Sequence, residues 1–429
     1  MNILLIDDTA CFIDFALRAA YDGHKVKVYM GKAKDGSRNT VGDGLVEKVN
    51  TWEAWMRWAD LILISDNVRN HRFTRYFKEG YPIFSSNLEG AKWELERGVG
   101  QELFKANGIE IANSTVFSDY DKAIAFVKST KKRYVSKPTG DADKALSYVS
   151  KSWEDMVYML GRWKKDGKLK SPFLLQEFVP GVEMAVGTWV GRNGFSSWVL
   201  ENFEFKKLMP GDWGVNTGEM GTVMRYVPFE KSLLGQKVLL PLMAEAIRVG
   251  YTGYLDVAVI VKDSDGGPMP LEVTSRFGWP LFNIQQVLHH NTAEWMLDSL
   301  KGEDTFYPKG GGDLTAAGFI MAIPPFPYSG FSQESVSGYP IWGTEKVGRN
   351  FHPAEVKLEN GQIVTAGTYV CIVSGTDFTV EGAVDKAYKN VKKLIIPNSP
   401  IVRQDIGRKL EQQLPELQKR GYATDWKYK

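Results

Sequence analysis

Three short, mainly apolar runs in the first 64 residues constrain the fold of this chain more than any other feature of its sequence. The runs occupy residues 3–6, 26–30 and 61–64, and apolar residues at helical spacing separate the first run from the second. Short runs of this kind are typical of buried parallel strands joined by helices. We therefore expect residues 1–88 to form an N-terminal doubly wound α/β domain.

The composition indicates a globular protein of several domains. The 429 residues carry 53 lysines and arginines against 51 aspartates and glutamates, a formal net charge of +2. A balance this close to neutral argues against a protein that binds nucleic acid through bulk positive charge. Cys11 and Cys371 are the only cysteines, and no apolar run reaches the ~20 residues of a membrane span. We expect a cytoplasmic protein, monomeric or homodimeric, that does not associate with membranes.

A predicted β-hairpin at residues 254–274 places two acids where they can bind a metal. Asp256 and Glu272 flank the turn at 263–267, and a hairpin centred on residue 264 sets them directly opposite each other. Opposed carboxylates repel unless a cation lies between them, and Mg²⁺ favours one or two carboxylates together with substrate phosphates. The alternative is a shifted register that leaves one of the two carboxylates in solvent.

Three basic residues have the types and positions of phosphate ligands. Arg276 follows the second strand of the hairpin, Lys137 ends an apolar strand, and Lys92 lies in a helix after a glycine. A guanidinium forks onto phosphate or carboxylate oxygens, and an ammonium neutralises phosphate charge. Taken singly, each of the three is more often a solvated side chain or half of a surface ion pair.

Two further segments predict contacts between the backbone and a ligand. The strand at 173–179 ends abruptly in Pro-Gly, where free backbone groups can pair with an adenine edge, and Glu183 follows as an acceptor for ribose hydroxyls. The loop at 214–221 is rich in glycine, and its N–H groups can cradle an anion. A glycine loop by itself is weak evidence, because many such loops are ordinary turns.

The order of these motifs resembles that of the ATP-grasp ligases, and specifically that of the phosphoribosylamine–glycine ligases. That family has G-P-N-T-G-G-M-G where this chain has Gly214–Gly221, and L-E-F-N-x-R-F-G-D-P where this chain has Leu271–Pro280. The late R-x-D-I-G of the family is matched by Arg403–Gly407. The similarity extends from about residue 60 to about residue 410.

The resemblance implies an α/β (α+β multidomain) architecture beyond residue 88. Residues 89–313 would form a central ATP-grasp fold of two α+β subdomains, with a lid subdomain at about 115–190, and residues 314–429 would form a small C-terminal α+β domain. The implied activity is ATP-dependent ligation of a carboxylate to an amine through an acyl phosphate. Glycine and phosphoribosylamine would give glycinamide ribonucleotide, so the partners would be small molecules.

The resemblance also implies roles for individual residues. ATP would contact residues of the helix, the lid and the following strands: Lys92, Lys137, Lys144, Gln176, Glu177, Phe178, Val179 and Glu183. Asp256 and Glu272 would bind Mg²⁺, with Mn²⁺ as an alternative ion. The carboxylate substrate would contact Arg276 and the glycine loop, at Asn216, Thr217, Gly218, Met220 and Gly221. Arg276, Lys137 and Asn216 would act in catalysis.

The chain departs from the family where phosphoribosylamine would bind. Family members have G-x-G-G-R-E-H after the first strand and G-P-E after the third, whereas this chain has Asp7–Cys11 and Ser65–Asn67. Thr274 replaces an asparagine metal ligand, and Trp279 replaces an aspartate. A second hypothesis is therefore a different amine acceptor, such as a modified nucleotide or a nucleic-acid base, which the basic and aromatic stretch Arg69–Tyr76 also favours. A nucleotide-binding protein without catalysis is the third.

Overall fold

The chain begins with a parallel sheet of four strands in the computed structural model, which describes residues 1–138, 147–168 and 172–429. The strands, in the order β3-β2-β1-β4, are β1 (Asn2–Asp7), β2 (Lys25–Met30), β3 (Lys48–Val49) and β4 (Leu61–Ile64). Helices α1 (Ile13–Tyr21) and α2 (Thr74–Lys78) accompany them. The parallel pairing confirms the α/β architecture predicted from the three apolar runs.

A small antiparallel sheet follows in the chain after helices α3 (Leu88–Leu95) and α4 (Arg97–Ala106). Its strands are β5 (Ser114–Phe117), β6 (Tyr134–Pro138), β7 (Tyr148–Val149) and β8 (Phe173–Glu177), in the order β5-β8-β6-β7. Helices α5 (Tyr120–Thr130) and α6 (Trp153–Lys165) pack against it through a shared apolar core. Asp119 and Ser152 cap the first turns of these helices by accepting backbone N–H groups.

The main sheet has eight strands in the order β15-β14-β9-β10-β13-β16-β20-β17. They are β9 (Gly181–Gly191), β10 (Gly194–Glu204), β13 (Gly221–Pro228), β14 (Gly253–Lys262), β15 (Pro268–Thr274), β16 (Thr315–Ala322), β17 (Phe351–Pro353) and β20 (Tyr369–Asp377). The neighbouring strands pair antiparallel. β16, β17 and β20 belong to the stretch 314–429, so this sheet continues across residue 313; the separate C-terminal domain stays a prediction.

Two small hairpins and six helices complete the described elements. The hairpins are β11 (Lys207–Met209) with β12 (Trp213–Asn216), and β18 (Val356–Glu359) with β19 (Gln362–Thr365). The helices are α7 (Met243–Arg248), α8 (Leu281–Gln285), α9 (Thr292–Lys301), α10 (Thr344–Val347), α11 (Val380–Val391) and α12 (Leu410–Lys419). None of the helices in the described residues is long and apolar enough to cross a membrane.

The two faces of the main sheet have separate apolar cores. One face packs against α7, α11 and α12, with Val199 and Val257 among its fully buried residues. The other face packs against α1, α8 and α9, around Trp189 and Tyr226. Because side chains alternate across a strand, Asp256, Asn202 and Glu204 lie on this second face. They form a polar region next to its apolar core.

The register of the β14–β15 hairpin corrects the predicted opposition of the two acids. Asp256 is paired with Thr274, and Glu272 with Ala258, so the acids are diagonal neighbours two positions apart on one face. A β-bulge between Ala258 and Val259 shifts the register next to Pro270, which has no N–H to give to the ladder. The sequence-based assumption of a regular hairpin centred on residue 264 was therefore wrong.

Candidate functional site

Three carboxylates surround the ammonium group of Lys206, which follows β10. Its Nζ lies 3.0 Å from Glu204 Oε2, 3.3 Å from Glu272 Oε1 and 3.7 Å from Glu183 Oε1. The acids are contributed by three strands of the main sheet, and we call this group of four residues the Lys206 cluster. Close charges of opposite sign stabilise each other's ionised forms, so the Lys206 ammonium holds the pKa of Glu272 at about 2.

Lys137 brings the small sheet to the same place. It lies in β6, whereas Glu272 lies in β15 of the main sheet, yet each of the two charges shifts the pKa of the other. Burial, reinforced by the charge of Arg97, lowers the pKa of Lys137 to about 8. Arg97, at the start of α4, also lies 3.9 Å from Glu272 Oε2. Cations from two other elements therefore face the carboxylates of the Lys206 cluster.

The two predicted metal ligands have different environments. Glu272 is ionised and its side chain is 48% exposed, so it fits the carboxylate that Mg²⁺ requires. Asp256 is buried, and its Oδ2 accepts hydrogen bonds from Asn202 Nδ2 and Tyr254 Oη, both at 3.0 Å. Burial and the nearby charge of Glu204 raise the pKa of Asp256 to about 7. The carboxylate of Glu272 is thus the stronger candidate for a direct metal ligand.

The predicted adenine-contacting segment links the small sheet to the main sheet. Gln176 and Glu177 end β8, Phe178 and Val179 follow, and β9 begins at Gly181. Gln176 is buried, and Glu177 forms an ion pair with Lys132 at 2.7 Å. The Arg133 guanidinium lies over the ring of Phe178 at 3.4 Å. The segment therefore has the position expected of a hinge between two sheets, and its contact with adenine stays a prediction.

The glycine loop holds the backbone of Lys206. Both Thr217 N and Thr217 Oγ1 donate to the Lys206 carbonyl oxygen at 2.8 Å. Asn216 and Gly218 are partly or fully exposed, whereas Met220 is completely buried. Gly221 approaches the backbone of β16, where an added Cβ would lie 2.6 Å from a carbonyl oxygen. The loop thus fixes the lysine at the centre of the cluster; its predicted contact with a carboxylate substrate stays untested.

The late Arg403 motif supports the hairpin that precedes this loop. The buried guanidinium of Arg403 contacts Asp405 at 2.6 Å and Asp212 at 2.8 Å, and donates to the Lys207 carbonyl oxygen at 2.9 Å. Gly211 N donates to Asp405 Oδ2 at 2.8 Å. A motif almost 200 residues away in the chain thereby positions the hairpin beside Lys206.

Arg276 forms an ion pair with Glu94 of helix α3. Its Nε donates to Glu94 Oε1 at 2.9 Å, and Glu94 Oε2 also accepts the Ser275 N–H. Asn67, after β4, donates to Glu94 and to Ser275. The guanidinium therefore lies where the N-terminal sheet meets the end of β15, with 29% of its side chain exposed.

The predicted ATP ligand Lys92 has a different partner in the described residues. Lys92 in α3 pairs with Glu89 of the same helix, at 2.9 and 3.1 Å, and its side chain is 37% exposed. Lys144 falls outside the described residues. Both roles stay predictions.

Sequence reasoning missed Lys206, Glu204 and Arg97. None of them belongs to a glycine motif or to a predicted hairpin turn. One signal was available, because Glu204 and Lys206 are charged residues that end a long buried strand, at the edge where ligands often bind.

Comparison with known proteins finds similarity to the same group of ligases that the sequence motifs resemble. The sequence profile of the phosphoribosylglycinamide synthetase ATP-grasp (A) domain matches residues 97–281, which include Lys137, Glu183, Lys206 and Glu272. The solved structure of phosphoribosylamine–glycine ligase from Thermotoga maritima superposes with a TM-score of 0.73. The match covers 94% of this chain and 100% of that one, at 22% sequence identity. This chain therefore has the fold of that ligase, and its residues 97–281 are similar to the ATP-grasp (A) domain.

Curated relatives of this chain include purine biosynthetic proteins. It is 27% identical over 332 residues to the bifunctional purine biosynthetic protein PUR2,5 of Pichia angusta, covering 74% of this chain and 41% of that longer protein. It is 24% identical over 326 residues to phosphoribosylamine–glycine ligase of Neisseria meningitidis, covering 73% of this chain and 76% of that one. The chain thus spans less than half of the bifunctional relative and about three quarters of the other.

Proposed function

We propose that this ATP-grasp protein is an ATP-dependent ligase that joins a carboxylate to an amine. The observation that carries the proposal is the meeting of Lys137 from the small sheet with Glu272 and Lys206 of the main sheet. The hinge at residues 178–180 joins these two sheets. Cations facing ionised carboxylates across such a hinge are the charges needed to hold a nucleotide triphosphate with its metal.

The reaction has two steps. A substrate carboxylate oxygen attacks the γ-phosphorus of ATP, and ADP leaves with the electrons of the broken P–O bond. The amine nitrogen then attacks the carbonyl carbon of the acyl phosphate, loses a proton, and displaces inorganic phosphate as the amide forms. Lys137 and Lys206 would neutralise phosphate charge and hold the reacting oxygens in place. Mg²⁺ bound at Glu272 would supply further neutralisation of the phosphates.

Glycine and phosphoribosylamine are the substrates that we assign first. The assignment is supported by the names of the relatives in Neisseria meningitidis and Thermotoga maritima, and by the shared Arg403–Gly407 motif beside the glycine loop. The product would be glycinamide ribonucleotide, a precursor of purines, made from small molecules in the cytoplasm.

A second candidate function, ligation to a different amine, is favoured by Asp7. Its Oδ1 accepts the N–H groups of Thr9 and Cys11 at 2.9 and 3.3 Å, and its Oδ2 accepts the N–H of Phe12 at 2.8 Å. Free N–H groups at the start of a helix after a strand are a common phosphate site. Here a carboxylate of the chain itself occupies them, so a phosphorylated amine would have to bind elsewhere.

The basic stretch 69–76 gives little support to a nucleic-acid acceptor. Arg69 pairs with Asp8 at 3.2 Å, and Arg72 pairs with Glu53 at 2.9 Å. Phe73 and Tyr76 are buried in the core of the N-terminal sheet. Most of the motif is therefore engaged within the chain, which agrees with an ordinary surface helix better than with a binding face.

Trapping with hydroxylamine tests ligase chemistry without knowledge of the natural amine. The protein is incubated with ATP, Mg²⁺, hydroxylamine and each of the twenty amino acids in turn, and ADP and amino-acid hydroxamate are measured. We expect both products with at least one amino acid. Binding of ATP without any hydroxamate would contradict the proposal and indicate a nucleotide-binding protein without catalysis.

Complementation distinguishes the two amine acceptors. Expression in a bacterial strain that lacks glycinamide ribonucleotide synthesis restores growth without added purine if phosphoribosylamine is the acceptor. Failure to restore growth, together with hydroxamate formation by the purified protein, would instead support the second candidate. The Glu272→Gln variant serves as the inactive control in the same strain.

A further inference from the structure

A buried acid in the glycine loop is not used by the chemistry described above. Glu219 lies between Gly218 and Met220, and only 4% of its surface is exposed. Its Oε1 atom has no hydrogen-bond partner among the described residues. A buried carboxyl oxygen without a partner is costly, and a ligand that donates a hydrogen bond to it would remove that cost.

The backbone fixes Glu219 beside the charged face of the main sheet. Met220 N donates to the Phe205 carbonyl oxygen at 2.8 Å, and Ile320 N donates to the Met220 carbonyl oxygen at 3.1 Å. Burial, reinforced by the charge of Glu204, raises the pKa of Glu219 well above its ordinary value, and Lys206 acts in the opposite direction. Its carboxyl group is therefore near the Lys206 cluster but forms no ion pair with Lys206 among the described contacts.

A second unpartnered polar atom belongs to Tyr369, at the start of β20. Tyr369 is paired with Ala322 of β16, two positions beyond the Ile320 that binds the Met220 carbonyl. Tyr369 is 8% exposed, and its hydroxyl has no hydrogen-bond partner among the described residues. Burial and then the charge of Glu219 raise the pKa of Tyr369 well above its ordinary value. The Tyr369 ring packs against Trp279 with 4.7 Å between ring centroids.

Glu219 and Trp279 are two positions at which this chain departs from the motifs it resembles. Position 219 has an acid where G-P-N-T-G-G-M-G has glycine, and position 279 has an aromatic ring where R-F-G-D-P has aspartate. An acid is thus gained at position 219, and another is lost at position 279, whose ring packs against Tyr369. Both departures change the polar groups available near Tyr369.

An amino-acid substrate carries an ammonium group, which can donate hydrogen bonds to the oxygens of Glu219 and Tyr369 that have no partner among the described residues. Its carboxylate must lie near Lys206 and Lys137 to reach ATP, and its ammonium group then requires acceptors of its own. We propose that Glu219 and Tyr369 bind the ammonium group of the amino-acid substrate, and that Glu219 thereby selects amino acids over simple carboxylates. The inference rests on the proposed ligase function. An ammonium paired with a buried carboxylate is a strong, charge-assisted contact.

The test compares an amino acid with the same acid lacking the amino group. The hydroxamate assay first identifies the amino acid that the wild-type protein activates. The Michaelis constant of that amino acid is then measured, with the inhibition constant of its counterpart: acetate for glycine, or propionate for alanine. If no amino acid is activated, the proposed function fails and this inference fails with it.

Glu219→Gln keeps the size of the side chain and removes its charge. We expect this variant to raise the Michaelis constant of the amino acid by ~10-fold or more, with kcat little changed, because a hydrogen bond to a charged group is lost. The inhibition constant of acetate or propionate should stay the same. Glu303→Gln, at an exposed position, is the matched control and should change neither constant.

Suppose that Glu219→Gln raises the Michaelis constant of the amino acid and the inhibition constant of acetate or propionate equally. This result would overturn the inference, since it would show a general distortion of the site. An unchanged Michaelis constant would overturn it as well. Tyr369→Phe removes only the hydroxyl and gives an independent test should Glu219→Gln fold poorly. We expect it to raise the Michaelis constant of the amino acid about 3-fold, again without effect on acetate or propionate. No such difference in Tyr369→Phe would also count against the inference.

Discussion

The ammonium of Lys206 lies 3.3 Å from a carboxylate oxygen of Glu272. The two residues are 66 positions apart in the chain; Glu272 lies in β15, and Lys206 follows β10. Together with Glu183 and Glu204 they form a cluster in which one cation is shared by three acids. The cluster is where the small sheet, the main sheet and the glycine loop meet.

Replacement of Lys206 by methionine should expose the repulsion between these acids. We expect Lys206→Met to lower kcat ~100-fold or more, because an electrostatic contact to the transferred phosphate is lost. In the absence of ATP, Mg²⁺ should raise the melting temperature of this variant more than that of the wild type. Thermal melts with and without Mg²⁺ measure the difference, and Lys301→Met, on an exposed helix face, is the control. If Mg²⁺ raised the melting temperatures of the variant and the wild type equally, Lys206 would not be the cation that neutralises the three acids.

Replacement of Glu272 should remove the metal-binding carboxylate. We expect Glu272→Gln to lower ADP release ~100-fold or more and to raise the Mg²⁺ concentration needed for half-maximal activity. The amide keeps the size of the side chain, so the melting temperature should change little. Full activity in this variant would show that the metal assignment is wrong.

Deprotonation of Lys137 should lower kcat/KM for ATP at alkaline pH. Because its pKa is lowered from 10.5 to about 8, the free protein loses this positive charge as the pH rises through about 8. We expect kcat/KM for ATP, which reports the free protein, to fall above that pH. Lys137→Arg should remove this alkaline fall, because a guanidinium stays charged throughout the range. The same fall in both proteins would assign it to another group.

Arg403 should be irreplaceable even by lysine. Its guanidinium reaches Asp405, Asp212 and the Lys207 carbonyl at once, and an ammonium group cannot reproduce this fork. We expect Arg403→Lys to lower the melting temperature by roughly 5 °C, since a buried charge network is disrupted. Limited proteolysis should cut the 207–216 hairpin faster. A hairpin as resistant as that of the wild type would contradict the positioning role.

The predictable parts of the fold were those set by local pattern. The apolar runs at 3–6 and 61–64 predicted buried strands, because a run with no polar face must be covered on both sides. The Asn360-Gly361 turn of the β18–β19 hairpin is equally local, since both residues adopt the positive φ values that such a turn requires. Such features depend on a few neighbouring residues, so the sequence is sufficient to find them.

The register of β14 against β15 was beyond the reach of the same reasoning. The pairing nearest the turn, Val261 with Pro268, already departs from a hairpin centred on residue 264, and the bulge beside Pro270 shifts the pairing by one more position. Lys206 was overlooked for a similar reason. Its place just after a long buried strand is the one local signal, and its acidic neighbours Glu183 and Glu272 lie more than 20 residues away on either side.

The sequence by itself determined the kind of protein: an ordered set of motifs that resembles the ATP-grasp ligases, with acids in place of the glycines of the first loop. The tertiary structure alone decided which charges act together. It brought Lys137 and Lys206 to Glu272, enclosed Asp256, and left the buried Oε1 of Glu219 with no hydrogen-bond partner in the part of the chain that the structure describes. The physical reason is that burial and neighbours from distant strands set the protonation and the partners of a charged side chain. The local sequence determines neither.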